Sequence, residues 1–157
     1  MRKRSNPAAA FLDGMVWGSH ICQFYRQAED MLDTLIPYFA AGLENNEFCM
    51  WVTAEPLDKE QALAAARERI PDFERYEREG QIEILGHDEW YLASGEFDRD
   101  RVLQGWVDKT EQALAQGYEG LRLTGNTFWL EKEDWAGFTE YEAAVDAVIG
   151  NYKMKAI

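Results

Sequence analysis

Cysteine and histidine are scarce in this chain, at two residues each. Cys22 and Cys49 are too few for the disulfide framework of a small secreted domain, so free thiols in a cytoplasmic protein are the expectation. No apolar run approaches the roughly 20 residues of a membrane span. The chain opens Met-Arg-Lys-Arg, but Asp13 and Gly14 break the next apolar stretch, which is therefore no signal-peptide core. Positive charge is also short: 16 Lys and Arg stand against 29 Asp and Glu, a formal net charge of −13. A protein that coats nucleic acid or an anionic bilayer needs many cationic contacts to phosphate, so neither is expected as a direct partner. No GxxxxGK[ST] and no GxGxxG occurs, and the first strand-to-helix turn, Tyr25-Arg26-Gln27-Ala28, has no glycine. A phosphate cradle of the usual kind is absent. So is a GxSxG elbow, and no nucleophile–base pair can be named. The chain reads as non-enzymatic and without a cofactor.

What is present is apolar and ordered. Of 157 residues, 46% are hydrophobic and 13% aromatic, enough for one domain with a real core and too much for intrinsic disorder. Residues 1–18 read as an arm. A short apolar run, HICQFY at 20–25, predicts a strand. Helical spacing predicts a helix over 28–43, bent at Pro37. EFCMWVTA at 47–54 predicts a strand covered on both faces. Asp58 is a candidate N-cap for a helix through Arg69. A polar stretch to Gly80, a strand over 81–85 and a loop over 87–95 come next. An amphipathic helix follows over 98–116, with Gly117 placed to stop it. A strand over 120–124, a helix over 131–149 and a last strand over 152–157 complete the pattern. Such alternation predicts an α/β fold, three-layered, with a mainly parallel sheet and helices on both faces. Ligands in such folds bind beyond the carboxyl ends of the strands, here near Tyr25, Thr53, His87 and residues 124–127.

Several residues stand out against that background. Arg122 interrupts an apolar strand between Leu121 and Leu123, and a charge there needs a partner or a cavity. Glu142 falls on the stripe Trp135, Phe138, Glu142, Val145 and Ile149, so an Arg122–Glu142 pair is expected. Glu47, at the start of a strand, reads as a surface residue. Trp90, Tyr91 and Trp129 lie in predicted loops, where large rings are expected to line a pocket. His20, Cys22, Cys49 and His87 supply four soft ligands in principle, but none has the tight spacing of a zinc site. Buried thiols and a hydrogen-bonded histidine are the plainer reading.

The runs GSHICQFY, PYFAAGLENNEFCMWVTAEP, RLTGNTFWLEKEDW and FTEYE together resemble the MEDS domain, a sensory domain of methanogens and methylotrophs named for a dichloromethane-responsive regulator. The resemblance covers residues 19–157. It implies a fold related to the RecA and KaiC ATPases without the phosphate-binding loop. It also implies an input module that binds a small ligand, a hydrocarbon derivative or one-carbon compound, and regulates an attached or partner histidine kinase or transcription module. Positions matching the family pattern are His20, Tyr25, Glu47, Arg122, Gly125, Trp129 and Glu142. Family members continue past the position of Ile157, so the resemblance implies a domain without its C-terminal end. The ligand-binding set expected from the residues and the resemblance together is His20, Cys22, Tyr25, Trp51, Trp90, Tyr91, Arg122, Thr124, Trp129 and Glu142, with no metal. Two alternatives stand beside it: a ligand-free protein-interaction module, and a metal or redox site built from His20, Cys22, Cys49 and His87. A homodimer stays open.

Overall fold

The nearly continuous apolar run at 47–54 becomes strand β1 (Phe48–Thr53), and all six of its residues are buried. Successive side chains on a strand point to opposite faces. Cys49 and Trp51 accordingly join one core cluster, while Phe48, Met50 and Val52 join another. The computed structural model describes residues 11–12, 14–130 and 134–157. Within them β1 is flanked by β2 (Ile82–Gly86) and β3 (Leu121–Thr124), and β4 (Met154–Ala156) lies outside β3. The order is β2-β1-β3-β4, and every pairing is parallel.

Parallel neighbours need long crossovers, and helices supply them. Helix α1 (Ala28–Glu44) precedes β1. Helices α2 (Lys59–Arg69) and α3 (Phe73–Glu79) connect β1 to β2. A single turn, α4 (His87–Trp90), and α5 (Arg99–Ala115) carry the chain back across β1 to β3. Helix α6 (Trp135–Val148) and a 3-10 turn (Ile149–Asn151) lead to β4. The direction of travel reverses after β2, so α1, α2 and α3 pack on one face and α5 and α6 on the other. This is an α/β fold with a parallel sheet between helices, as the alternation predicts, and its switch point lies between β1 and β3.

Local signals explain most boundaries. The Asp58 side chain accepts from Gln61 N–H, and Gln61 answers to the Asp58 N–H, a complete capping box at the start of α2. At the start of α5 the Asp98 side chain accepts from Arg101 N–H. The polar stretch before Gly80 turns out to contain α3, held by buried Phe73 and Tyr76. The strand expected over 20–25 is corrected to one bridge, His20 with Ala156. Gly18 N–H donates to Met154 O at 2.8 Å and Ile21 N–H to Ala156 O at 3.0 Å, after which β4 ends and residues 22–25 have no strand to pair with among the described residues. The helix expected over 131–149 begins at Trp135 among the described residues, and 131–133 lie outside them. Most of the N-terminal arm lies outside them too, although Leu12 and Met15 are buried in the first cluster. No helix among the described residues is long and apolar enough to cross a membrane.

Gly42 shows how tightly α1 meets the sheet. A Cβ at this position would stand 2.6 Å from Arg122 Cδ and 2.9 Å from Cys49 Sγ. Ala in a helix ordinarily gains about 1 kcal/mol over Gly. Gly42→Ala is nevertheless expected to lose about 1–3 kcal/mol, since the overlap falls on a buried, ion-paired arginine. Urea denaturation reads the sign directly.

Candidate functional site

Two polar features sit within the apolar layers. The first is closed. Arg122, Glu47 and Lys155 are all buried beneath α1. Arg122 Nε donates to Glu47 Oε2 at 2.5 Å, and Lys155 Nζ donates to Glu47 Oε1 at 2.7 Å. Arg122 Nη1 also donates to the carbonyl oxygens of Tyr38 (3.1 Å) and Leu12 (3.3 Å). The Tyr38 hydroxyl meets Leu123 O at 2.9 Å and Lys155 O at 3.1 Å. Burial holds the Tyr38 phenol and the Cys49 thiol well above their ordinary pKa values. The cluster ties the start of β1 to β3 and β4.

This corrects two sequence expectations. Glu47 is no surface residue, and it, not Glu142, is the partner of Arg122. The reason is strand alternation: Leu121 and Leu123 face α5 and α6, so Arg122 between them faces α1.

The second feature is open. A cavity of about 340 Å³ lies over the carboxyl ends of β1, β3 and β4. One wall is residues 20–27 with Met31 and Leu35 of α1; another is the loop 124–128 after β3; α5, α6, Pro56 and Tyr91 complete it over the strand ends. His20, Cys22, Tyr25, Trp51, Tyr91, Thr124 and Glu142 all line it. Burial pushes the Tyr25 hydroxyl up to about 12. Thr124 Oγ1 donates to Ile157 O at 2.7 Å, and Asn126 Nδ2 donates to Ala54 O at 3.1 Å, fixing the loop above the switch point. Phe24 and Phe128, both exposed, also border the cavity.

At the rim His20 faces α6. Its Nε2 lies 3.2 Å from Glu142 Oε2 and its Nδ1 lies 3.4 Å from Asp146 Oδ1. Two carboxylates on the two ring nitrogens ask for a proton on each.

The sequence pattern of the family described as MEDS: MEthanogen/methylotroph, DcmR Sensory domain, matches residues 19–157. The chain belongs to the MEDS family. It is also similar to the Transcriptional repressor DcmR of Methylorubrum extorquens, 24% identical over 139 residues, which is 87% of this chain and 49% of the repressor. The chain thus spans about half the length of that curated relative. No solved structure matches it.

Within this MEDS domain, three residues of the expected ligand-binding set lie away from this cavity. Arg122 belongs to the buried cluster. Trp90 packs on Trp106 with ring centroids 4.4 Å apart, against Gly105. Trp129 stacks between Tyr91 (5.1 Å) and His87 (6.0 Å). Both tryptophans follow strand ends in the sequence, yet they fill the second core rather than wall the cavity. The alternative metal reading is corrected as well. Cys22 is exposed, Cys49 lies beside Arg122, and His87 stacks on Trp129. Among the described residues no three His, Cys, Asp or Glu side chains are grouped to hold a metal ion. Tyr141 and Trp106 line the cavity and were not singled out from sequence. The signal was there: Phe138, Tyr141, Val145 and Ile149 are the buried stripe of α6 and its following turn, which leaves Glu142 one position around at the rim.

The His20 contacts give the domain a pH dependence. The hydrogen bond to Glu142 is the largest influence and raises the His20 pKa above 6.5, partial burial opposing it. A histidine with a raised folded pKa adds stability below its unfolded pKa and loses it as pH rises through the folded one. Stability is therefore expected to fall by about 1 kcal/mol or less on raising the pH from 6 past that value, since both carboxylates are solvent-screened. In His20→Gln this part of the pH profile should flatten, as read by urea denaturation at a series of pH values.

Proposed function

We propose that this chain is a non-enzymatic sensory input module whose ligand, a small and mainly apolar molecule, binds in the cavity over β1, β3 and β4. The carrying observation is the cavity itself. It lies at the switch point, where open α/β sheets bind ligands, and its walls are drawn from residues on both sheet faces. The membership in a family of sensory domains supports the reading, and so does the similarity to a transcriptional repressor. Occupancy alters output only through unequal affinity for two conformations. The segment 20–27 and the loop 124–128 are the elements that close over a ligand, with Phe24 and Phe128 at their edge. An attached or partner kinase or transcription module would read that closure. Kinship to the RecA and KaiC ATPases is part of the same proposal. It rests on the parallel strand–helix alternation and on what the family resemblance implies.

Thermal unfolding with and without millimolar toluene tests the central claim. The expected result is a concentration-dependent rise in Tm by mass action. Val145→Phe, which pushes a larger ring in from α6, should abolish the rise while leaving the domain folded. An unchanged wild-type Tm across toluene and its one-to-ten-heavy-atom neutral relatives would overturn the reading.

A further inference from the structure

The cavity wall contains a hydrogen-bond donor with no acceptor. Trp106 on α5 donates its indole N–H to the Tyr141 hydroxyl on α6 at 2.7 Å. The Tyr91 and Tyr141 hydroxyls lie within reach of each other, the two rings 6.3 Å apart and 87° to each other. All three side chains line the cavity and are buried, the two tyrosines at 3% exposure each. One indole and two phenolic hydrogens are thus offered to two phenolic oxygens. The indole hydrogen goes to Tyr141, and at most one phenolic hydrogen lies between the two tyrosines. Neither phenol donates to a backbone or carboxylate acceptor among the described residues, so at least one phenolic hydrogen is left over. Burial is the main reason both phenols keep their protons far above neutral pH, so the donor is permanent.

The arrangement is built rather than incidental. The Tyr91 ring is clamped by Trp129, Phe138 and Phe97. Its hydroxyl occupies the space a side chain at Gly125 would need. A donor held in an apolar wall loses its hydration without compensation unless the ligand supplies an oxygen.

We propose that the cavity selects a neutral, ring-sized ligand bearing one hydrogen-bond acceptor, a carbonyl or ether oxygen, which takes the spare phenolic hydrogen of the Tyr91–Tyr141 pair. The proposal rests on the cavity being the ligand site. Volume sets the size: an apolar cavity of about 150 Å³ suffices for benzene, and this one is about 340 Å³. A one-carbon compound would leave most of it empty. Charge sets the neutrality. Glu142 lines the same cavity and is paired with His20, so neither offers a free counter-charge to an ionic ligand. His20 is engaged by Glu142 and Asp146, and Arg26 is exposed at the rim.

Acetophenone and α-methylstyrene make the test, since they share shape and differ by C=O against C=CH2. Calorimetric titration of the wild-type chain is expected to show the ketone binding roughly tenfold more tightly. The double variant Tyr91→Phe/Tyr141→Phe should bind both about equally. Because that variant also strips Trp106 of its acceptor, a second measurement uses the wild type alone. The carbonyl stretch of bound acetophenone should shift to lower frequency than in hexane. Equal wild-type affinities, or an unshifted carbonyl, would overturn the acceptor requirement and leave the cavity reading standing. Binding of neither probe would overturn both.

Discussion

Glu47→Gln is expected to lose about 3–5 kcal/mol of folding stability, the largest effect of any single polar substitution in this domain. The carboxylate is 2% exposed and meets two cations, Arg122 at 0% and Lys155 at 6%. Removing its charge leaves both cations buried with none opposite, and desolvated charge without a partner is the costly case. The ordering of related variants follows from the same count. Arg122→Met leaves Glu47 with Lys155, one against one, but gives up the contacts to Tyr38 O and Leu12 O. Lys155→Met leaves the shorter Arg122–Glu47 pair intact and removes an excess positive charge. Its cost should be the smallest of the three. Chemical denaturation of the three variants reads the order. A Glu47→Gln loss below about 1 kcal/mol would mean the cations reach solvent on their own. The cluster matters for the site, because it anchors β3 and β4, whose carboxyl ends form the cavity floor.

That cluster also marks where sequence reading runs out. Strands buried on both faces announce themselves by apolar continuity, as β1 does, and helix starts by their caps, as Asp58 and Asp98 do. Helix α3 does not: in FERYERE only Phe73 and Tyr76 are apolar, too few for a period. The segment after His20 reads as a strand by composition, but a strand needs a neighbour, and β4 ends at Ala156. Glu47 reads as exposed because strand starts usually are; its burial depends on Arg122 and Lys155, 75 and 108 residues away. The wrong partner for Arg122 was excludable in principle. If Leu121 and Leu123 meet the later helices, Arg122 cannot. The cavity was legible as a place, the carboxyl edge, but only partly as a set of walls. His20, Tyr25, Tyr91, Thr124 and Glu142 reach it, whereas Trp90 and Trp129 satisfy the core first. Aromatic residues in connecting segments carry no signal for which of those two fates they meet.

Trp106 joins core and cavity, and Trp106→Ala is the second large effect, a loss of about 3–5 kcal/mol. The ring is 1% exposed, packs at 4.4 Å on Trp90 and holds Tyr141 through its N–H. Its removal deletes the contact area of α5 against Trp90, and the space left cannot be closed by Gly105. Trp106→Phe keeps most of the volume and loses the donor to Tyr141, so it should cost only about 1–2 kcal/mol. The two variants separate packing from hydrogen bonding. They differ in a second way that packing alone does not predict. The void in Trp106→Ala opens onto the existing cavity, since Trp106 is already part of its wall. A small neutral ring that fills the enlarged space should therefore recover part of the lost stability, by an amount that rises with its concentration. Trp106→Phe offers no comparable space and should gain no more than the wild type does. Denaturation curves with and without toluene decide it. Equal toluene stabilisation of Trp106→Ala and the wild type would show that the void is sealed off from the cavity, and with it that Trp106 is core alone.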